Sequence, residues 1–222
     1  MKTKLKSILA VALCAVGLAA FAEPDAVQLW ENGPYWATCN VGASKPEDYG
    51  YYFAWGETSP KKKHSRTTLK YRTSGNSYFF DDKFSKYVTS RTYGPVDNKT
   101  ILEPMDDAAH VNWGGSWRMP TDAEWTELEK NCTWTWTTQN GVNGYKVTSL
   151  KSGYTDKSIF LPAAGFRNYG DLYDAGSGGR YWSSSLSADD PCAAYGMCLS
   201  SDFFAGLYFY RSSGCSVRPV SE

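Results

Sequence analysis

Residues 117–125 have the sequence WRMPTDAEW, and this stretch decides the fold more than any other. Thr121 followed three residues later by Glu124 forms a capping box. The threonine hydroxyl accepts a hydrogen bond from the Glu124 N–H, and the glutamate carboxylate accepts one from the Thr121 N–H. Trp125 and the leucine three residues later share one helix face. The pattern predicts a helix at about 122–130 with that face buried.

The segments around this helix predict mostly β-structure. Residues 35–55 predict two short strands, 57–100 a long polar loop excursion and 106–110 a short helical turn. Apolar stretches bounded by Gly, Asp and Ser predict later strands at 144–150, 157–161, 180–184, 193–199, 205–210 and 215–220. We therefore expect an α+β domain with few helices, short antiparallel strands and long loops.

The first residues have the features of an export signal. A basic start is followed by a 14-residue apolar run, Ile8–Phe21, and by the small-x-small pattern Ala20-Phe21-Ala22. This arrangement predicts a secretory signal peptide over 1–22 and one mature domain over 23–222. The run is shorter than the roughly 20 residues that cross a bilayer. We expect an exported protein, periplasmic, secreted or at the cell surface, with no transmembrane segment.

Charge and motif content argue against several functional classes. Residues 23–222 carry 20 basic against 23 acidic side chains, a balance that gives no electrostatic reason for nucleic-acid binding. His64 and His110 are the only histidines, and no metalloprotease or serine-hydrolase motif is present. We expect no enzyme, no metal site and no cofactor. A structural calcium ion at the acidic pairs 106–107 and 189–190 stays an open alternative, because calcium prefers oxygen ligands.

Three stretches resemble one known family. They are WATCNVGA at 36–43, WRMPTDAEW at 117–125 and SVRPV at 216–220, in this order. They resemble the Fibrobacter succinogenes major paralogous domain, and the likeness covers nearly all of 30–220. That family is similar in fold to C-type lectins and formylglycine-generating enzymes. The resemblance implies a C-type-lectin-like single domain in which strands from the two chain ends pair.

A second resemblance concerns the C-terminal segment. YWSSSL at 181–186, a scrambled stretch and then SVRPV resemble the variable proteins of diversity-generating retroelements. Adenine-directed mutagenesis of AAC or AAT codons cannot produce Lys, Glu, Gln or Trp. These types make up 31 of the 160 residues 23–182 and are absent from 183–216, where uniform usage would give about six or seven. A variable ligand-binding segment at 183–216 is implied, although strands also disfavour Lys, Glu and Gln.

Five cysteines follow the predicted signal peptide, and export makes disulfides the default expectation. Cys39 and Cys132 lie in the family-like part of the chain, so the resemblance implies a disulfide between them. Cys192, Cys198 and Cys215 fall in the candidate variable segment, and the odd total leaves at least one thiol unpaired. Formylglycine-generating enzymes suggest an alternative, a copper-dependent oxidase using Cys192 and Cys198, whose C-x5-C spacing is wider than the C-x4-C of that family.

These features predict an exported recognition protein, because aromatic residues interleaved with small polar ones are typical of a paratope. The partner would be a protein or glycan on another cell, a phage or a host. The expected exposed contact residues are Asp189, Asp190, Ala193, Asp202, Phe204, Gly206, Tyr210 and Ser212. Leu207 and Phe209 share one strand face and Tyr208 and Tyr210 the other, with the outward face left open. The alternative is a structural or accessory envelope protein.

Overall fold

The computed structural model describes residues 25–75 and 82–222. The predicted signal peptide over 1–22 lies outside these ranges. Within them, the chain is built mostly from antiparallel β-sheets and has two α-helices. The expectation of a mixed domain with few helices and short antiparallel strands is confirmed at that level.

The bounds of the strands and helices are as follows. The strands are β1 Ala26–Gln28, β2 Tyr35–Ala37, β3 Arg72–Ser74, β4 Lys83–Phe84, β5 Cys132–Gln139, β6 Val142–Ser149, β7 Ser158–Pro162, β8 Phe166–Asn168, β9 Asp171–Tyr173, β10 Gly178–Leu186, β11 Ala193–Ser200, β12 Phe203–Tyr210 and β13 Val220–Ser221. The helices are α1 Ala108–Trp113 and α2 Asp122–Asn131, and 3-10 turns lie at Arg66–Thr68, Arg91–Tyr93 and Pro104–Asp106.

The strands form three sheets of three strands and two sheets of two strands. The three-stranded sheets have the orders β1-β2-β13, β5-β6-β7 and β10-β11-β12, while β3-β4 and β8-β9 are two-stranded. Pairing of β2 with β13 joins the two ends of the described chain, as expected. No helix in the described ranges is long and apolar enough to cross a membrane.

Helix α2 begins as its sequence predicts. The Glu124 N–H donates to the Thr121 hydroxyl over 3.2 Å, and the Thr121 N–H donates to the Glu124 carboxylate over 2.7 Å. Arg118 holds the same carboxylate through two hydrogen bonds of 2.8 and 2.7 Å. Trp125 is buried on the inner helix face. The predicted helix is therefore confirmed, and its N-terminus is fixed by local hydrogen bonds.

Two strand predictions need correction. The chain over 132–139, CTWTWTTQ, forms β5, an eight-residue strand that was not predicted although its β-branched and aromatic residues favour strand structure. The predicted strand at 215–220 is reduced to isolated bridges, Phe53 to Cys215 and Tyr181 to Ser216, followed by the two-residue β13. This segment runs through the interior between other elements, so it lacks one continuous partner strand.

The buried Arg218 explains why two of the family-like stretches lie side by side. Its guanidinium donates to Asn40 Oδ1 over 2.9 Å and to the carbonyl oxygens of Ala37 and Phe160 over 3.0 and 2.9 Å. Burial lowers the pKa of this arginine, and these acceptors compensate its lost hydration. The side chain thus ties the 36–43 stretch to the end of the chain.

The β10-β11-β12 sheet separates two main core clusters. On one face Met197 and Leu199 pack beneath Trp125 and Leu128 of α2. On the other face lies a second cluster of buried residues that includes Phe53, Trp55, Met119, Trp182, Ala194 and Phe209. Because alternate residues of a strand point to opposite faces, the sheet supplies side chains to both clusters.

The described parts of the 57–100 segment, 57–75 and 82–100, pack onto the domain rather than forming a polar loop excursion. Leu69, Phe84 and Val88 are buried in a third cluster that also contains Cys192. Asp106 is fully buried and accepts from the Lys70 ammonium over 2.8 Å and the Lys86 ammonium over 2.5 Å. The segment is therefore docked by apolar packing and by a buried carboxylate. The sequence interpretation missed both because the partners are far apart along the chain.

Candidate functional site

The candidate site is the hairpin formed by β11 and β12. The two strands pair along their whole length, from Ala193 opposite Tyr210 to Ser200 opposite Phe203. Among the described residues, β12 has a neighbouring strand on one side only and is therefore a sheet edge. Edge strands present unpaired backbone groups and are ready sites for association.

Strand β12 exposes an unusual amount of apolar surface. Its sequence, FFAGLYFY, contains no charged residue. Phe203 is 44% exposed, Leu207 42%, Tyr208 55% and Tyr210 45%. These four side chains come from both faces of one strand, so the exposed strip follows the sheet edge. We call these four residues the β12 strip.

Strand β12 itself is held in place by contacts on its inner face. Phe204 stacks on Trp134 with ring centroids 4.6 Å apart and an interplanar angle of 8°. The Gly206 N–H donates to the Glu129 carboxylate of α2 over 3.0 Å. Burial raises the pKa of Glu129, whereas the Gly206 N–H lowers it. The strip therefore sits on a strand anchored to both β5 and α2.

The structure separates the eight predicted contact residues into groups. Asp189, Asp202, Gly206 and Tyr210 are exposed, while Asp190 and Phe204 are half-buried. Ala193 and Ser212 are buried, so their prediction as exposed contacts is wrong. The residues also lie at two ends of the hairpin, because Asp189 precedes β11 and Asp202 follows it. Eight residues of extended strand span about 24 Å at the usual rise of about 3.4 Å.

Ser212 is buried because it follows an arginine that enters the core. The Arg211 guanidinium lies over the rings of Trp55 and Phe84, 5.0 and 4.2 Å from their centroids. It donates to the carbonyl oxygens of Lys86 and Pro191 over 3.2 and 3.3 Å. Burial lowers the pKa of Arg211 to about 10. Nothing in the local sequence distinguishes this arginine from a surface one.

Ala193 is buried because it begins the central strand of its sheet. Its neighbour Ala194 belongs to the second core cluster, and Ala193 itself has no exposed surface. A central strand has partners on both edges and neighbours on both faces, which leaves little room for a contact residue. Its position in the middle of the sheet could not be deduced from the alternation of β11 alone.

The predicted disulfide between Cys39 and Cys132 is not formed, and the five cysteines of the described ranges are all free thiols. Cys132 begins β5 within the first core cluster. The charges that act on Cys39 are those of Arg218, Asp25 and Asp48, whereas Lys151 acts on Cys132. The two thiols therefore have different surroundings. Burial raises both pKa values, that of Cys132 to about 12.

The same geometry bears on the oxidase alternative. Cys192 lies in the third core cluster, whereas Cys198 borders the second. Between them β11 is extended, so Ala193 and Cys198 are about 17 Å apart at the usual strand rise. The structure therefore does not bring Cys192 and Cys198 together in one cluster, and the absence of enzymatic activity stays a prediction.

Three of the four aspartates in the acidic pairs 106–107 and 189–190 have hydrogen-bonding partners. Asp106 is engaged by two lysines, and Asp107 accepts from the N–H groups of Ala109 and Met119. Asp190 accepts from the Cys192 N–H. Within 25–75 and 82–222 no group of three His, Cys, Asp or Glu residues is arranged to hold a metal ion. The oxygens of Asp106 and Asp107 are engaged by these lysines and N–H groups, and a structural calcium ion stays a prediction.

A cleft of about 340 Å³ lies elsewhere, next to α1. Its walls include Ile101, Trp117, His110 and Arg118, and Ser184 also lines it. The arginine is paired with Glu124, the His110 ring nitrogen Nδ1 is 3.3 Å from the Trp117 carbonyl oxygen, and the Ser184 hydroxyl donates to Pro120. These polar groups of the cleft are thus engaged in local hydrogen bonds.

Comparisons with protein-family models, with curated proteins and with solved structures found no match to this chain.

Proposed function

We propose that this chain is an exported ligand-binding protein that recognises its partner through the β12 strip. The observation that carries the proposal is an anchored edge strand with four exposed large apolar side chains and no charge. Exposed apolar patches on a monomer are typical of interaction sites. The surface thus favours binding over an inert structural role.

The chemistry of the strip also favours recognition of a macromolecule. Tyrosine and phenylalanine give large contact area at a low cost in conformational entropy. The hairpin turn adds small polar groups, since the Ser200 hydroxyl donates to Asp202 over 3.0 Å. A binding surface on a strand held by Glu129 and Trp134 needs little reordering when the partner arrives.

The proposal includes the two family resemblances. A C-type-lectin-like domain of the major paralogous family would use this hairpin as part of a variable segment at 183–216. Diversification of that segment would have to spare Met197, Leu199 and Phe209, since these side chains are buried in the core clusters. It would be free to change Leu207 and Tyr208.

Selection from a random peptide display library on the mature chain, residues 23–222, tests the proposal. Enriched peptides are expected to bind the native protein and to lose binding when the four β12 strip residues are replaced by serine. A control variant replaces three exposed apolar residues elsewhere, Tyr35, Val111 and Leu150, by serine. Peptides that bind the strip variant as well as the native protein would contradict the proposed surface.

A further inference from the structure

Arg180 of β10 has surroundings unlike those of the other buried or half-buried arginines. Its guanidinium carbon lies 3.5 Å from the ring centroid of Phe166 and 4.8 Å from that of Phe209. Stacking of this kind fixes the guanidinium plane, and it leaves the in-plane N–H donors directed past the rings. The side chain is half-buried, so it has been partly removed from water.

The Arg180 guanidinium has no hydrogen-bonded or ion-paired partner among the described residues. Arg211 and Arg218 each donate to several carbonyl oxygens, and Arg118 is paired with Glu124. An acidic candidate for pairing is Asp174, because its charge and that of Arg180 both act on the pKa of the neighbouring Cys198 thiol. Asp174 nevertheless forms no ion pair with Arg180 in the described structure. The guanidinium nitrogens of Arg180 are not among the buried side-chain atoms that lack a partner, so these donors are open to an acceptor on a binding partner.

The strand register places Arg180 in a row of side chains that runs across the sheet to β12. Arg180 is opposite Cys198, and Cys198 is opposite Ala205, so these three side chains form one row across the sheet. The next row towards the core includes Gly196 and the exposed Leu207. The Phe209 ring lies against Gly196, and Arg180 stacks on that ring.

We propose that Arg180 is the anion-recognition residue of the binding surface and that it pairs with an aspartate or glutamate side chain of a protein partner. The pair would form through two parallel N–H···O hydrogen bonds, the geometry that arginine and carboxylate groups favour. Apolar residues next to that acid would cover Ala205 and Leu207. This inference rests on the proposed function and adds the chemistry of the partner to it.

A protein carboxylate fits the surroundings of Arg180 better than a sugar acid. The hydroxyl groups of a sugar need hydrogen-bonding partners, and an unpaired buried one weakens binding. Arg180 stacks on Phe166 and Phe209 and shares its row with Cys198 and Ala205, and these side chains offer few hydrogen-bonding groups. Arginine and aromatic residues are enriched at the hot spots of protein–protein interfaces.

The test uses peptides selected from the random display library on the native mature chain. We expect the enriched sequences to contain Asp or Glu flanked by aliphatic or aromatic residues. Arg180→Gln should weaken their binding at least about 30-fold, which corresponds to about 2 kcal/mol. Arg180→Lys should give an intermediate loss, because it keeps the charge and loses the planar fork.

A matched control is Arg167→Gln, since Arg167 also lies over an aromatic ring, that of Tyr52, but already donates to the Gly170 carbonyl oxygen. That variant should bind the peptides as the native protein does. Replacing the peptide acid by its amide should remove the difference between native protein and Arg180→Gln. Circular dichroism and the unfolding midpoint establish that Arg180→Gln is folded.

The outcomes separate this inference from the proposed function. If the peptides bind the β12 strip but Arg180→Gln binds them equally well, the anion-recognition role is overturned and the recognition surface stands. Enriched peptides without an acidic residue would also overturn it. If the serine-substituted strip variant binds the peptides normally, the proposed surface itself fails.

Discussion

Replacing Asp106 by asparagine should destabilise the domain strongly. The carboxylate has no exposed surface, and it accepts from Lys70, Lys86 and the Tyr87 hydroxyl over 2.8, 2.5 and 2.6 Å. Asparagine keeps the shape but removes the negative charge. The Lys86 ammonium, 16% exposed, then retains only Glu103 as an acidic partner. Breaking a buried ion pair costs about 3–5 kcal/mol, and the exposure of Lys70 places our expectation near about 3 kcal/mol.

Urea unfolding at neutral pH measures this loss. The matched control is Asp156→Asn, which removes the exposed pair with Lys157 and should leave the free energy of unfolding unchanged within error. A loss below about 1 kcal/mol for Asp106→Asn would refute the reasoning that this carboxylate docks the 57–100 segment.

Burial alone would raise the pKa of Asp106, but hydrogen bonds from Lys70 and Lys86 lower it below 3.8. Its stabilisation is therefore present above pH 3.8 and is lost as the pH falls further.

Four further results are expected. Thr121→Ala should cost about 1 kcal/mol in urea unfolding, because it removes the cap of α2; no loss would contradict the capping role. Leu199→Ala should cost about 2–5 kcal/mol and Leu207→Ser less than about 0.5 kcal/mol, since the first is buried and the second exposed; equal losses would refute that distinction. Burial lowers the pKa of His64 to about 4, so stability should fall as the pH drops from 6.5 to 4, and His64→Gln should flatten this slope. A thiol reagent should modify Cys198 first on the folded protein, as it is the only half-exposed thiol in the described ranges; mass mapping that finds Cys215 first would contradict its burial.

The sequence predicted elements whose signals are local. The capping box of α2 involves residues three apart, and the alternation in β11 and β12 needs only one strand. For both, the hydrogen-bonding or packing requirement is contained in a short window, and the structure confirms the helix and the two strands within a residue or two.

The sequence could not predict features that depend on distant partners. Leu207 and Phe209 share one strand face, yet Leu207 is exposed and Phe209 buried, because the second core cluster covers only part of that face. The ion pairs of Asp106 join residues more than 15 positions apart. Burial along a strand face depends on which elements pack against that face, and the alternation of residues in a single strand gives no information about those elements.

For the candidate site too, local signals were predictable from the sequence and long-range packing was not. The segment that carries it was identified by composition, but Ala193 and Ser212 were assigned to the surface and lie in the interior. Arg180 was outside the predicted contacts because its significance comes from two rings on other strands, Phe166 and Phe209. An arginine flanked by glycine and tyrosine gave no local signal for that stacking.

Sequencing of this gene and its flanking DNA across sibling isolates tests the recognition account most directly. The account predicts that substitutions concentrate in 183–216 at exposed positions such as 189, 202, 207 and 208, at codons matching adenines in a nearby near-copy. The buried positions 194, 197, 199 and 209 should stay unchanged. An invariant segment with no near-copy would contradict diversified recognition and favour a structural or accessory envelope protein.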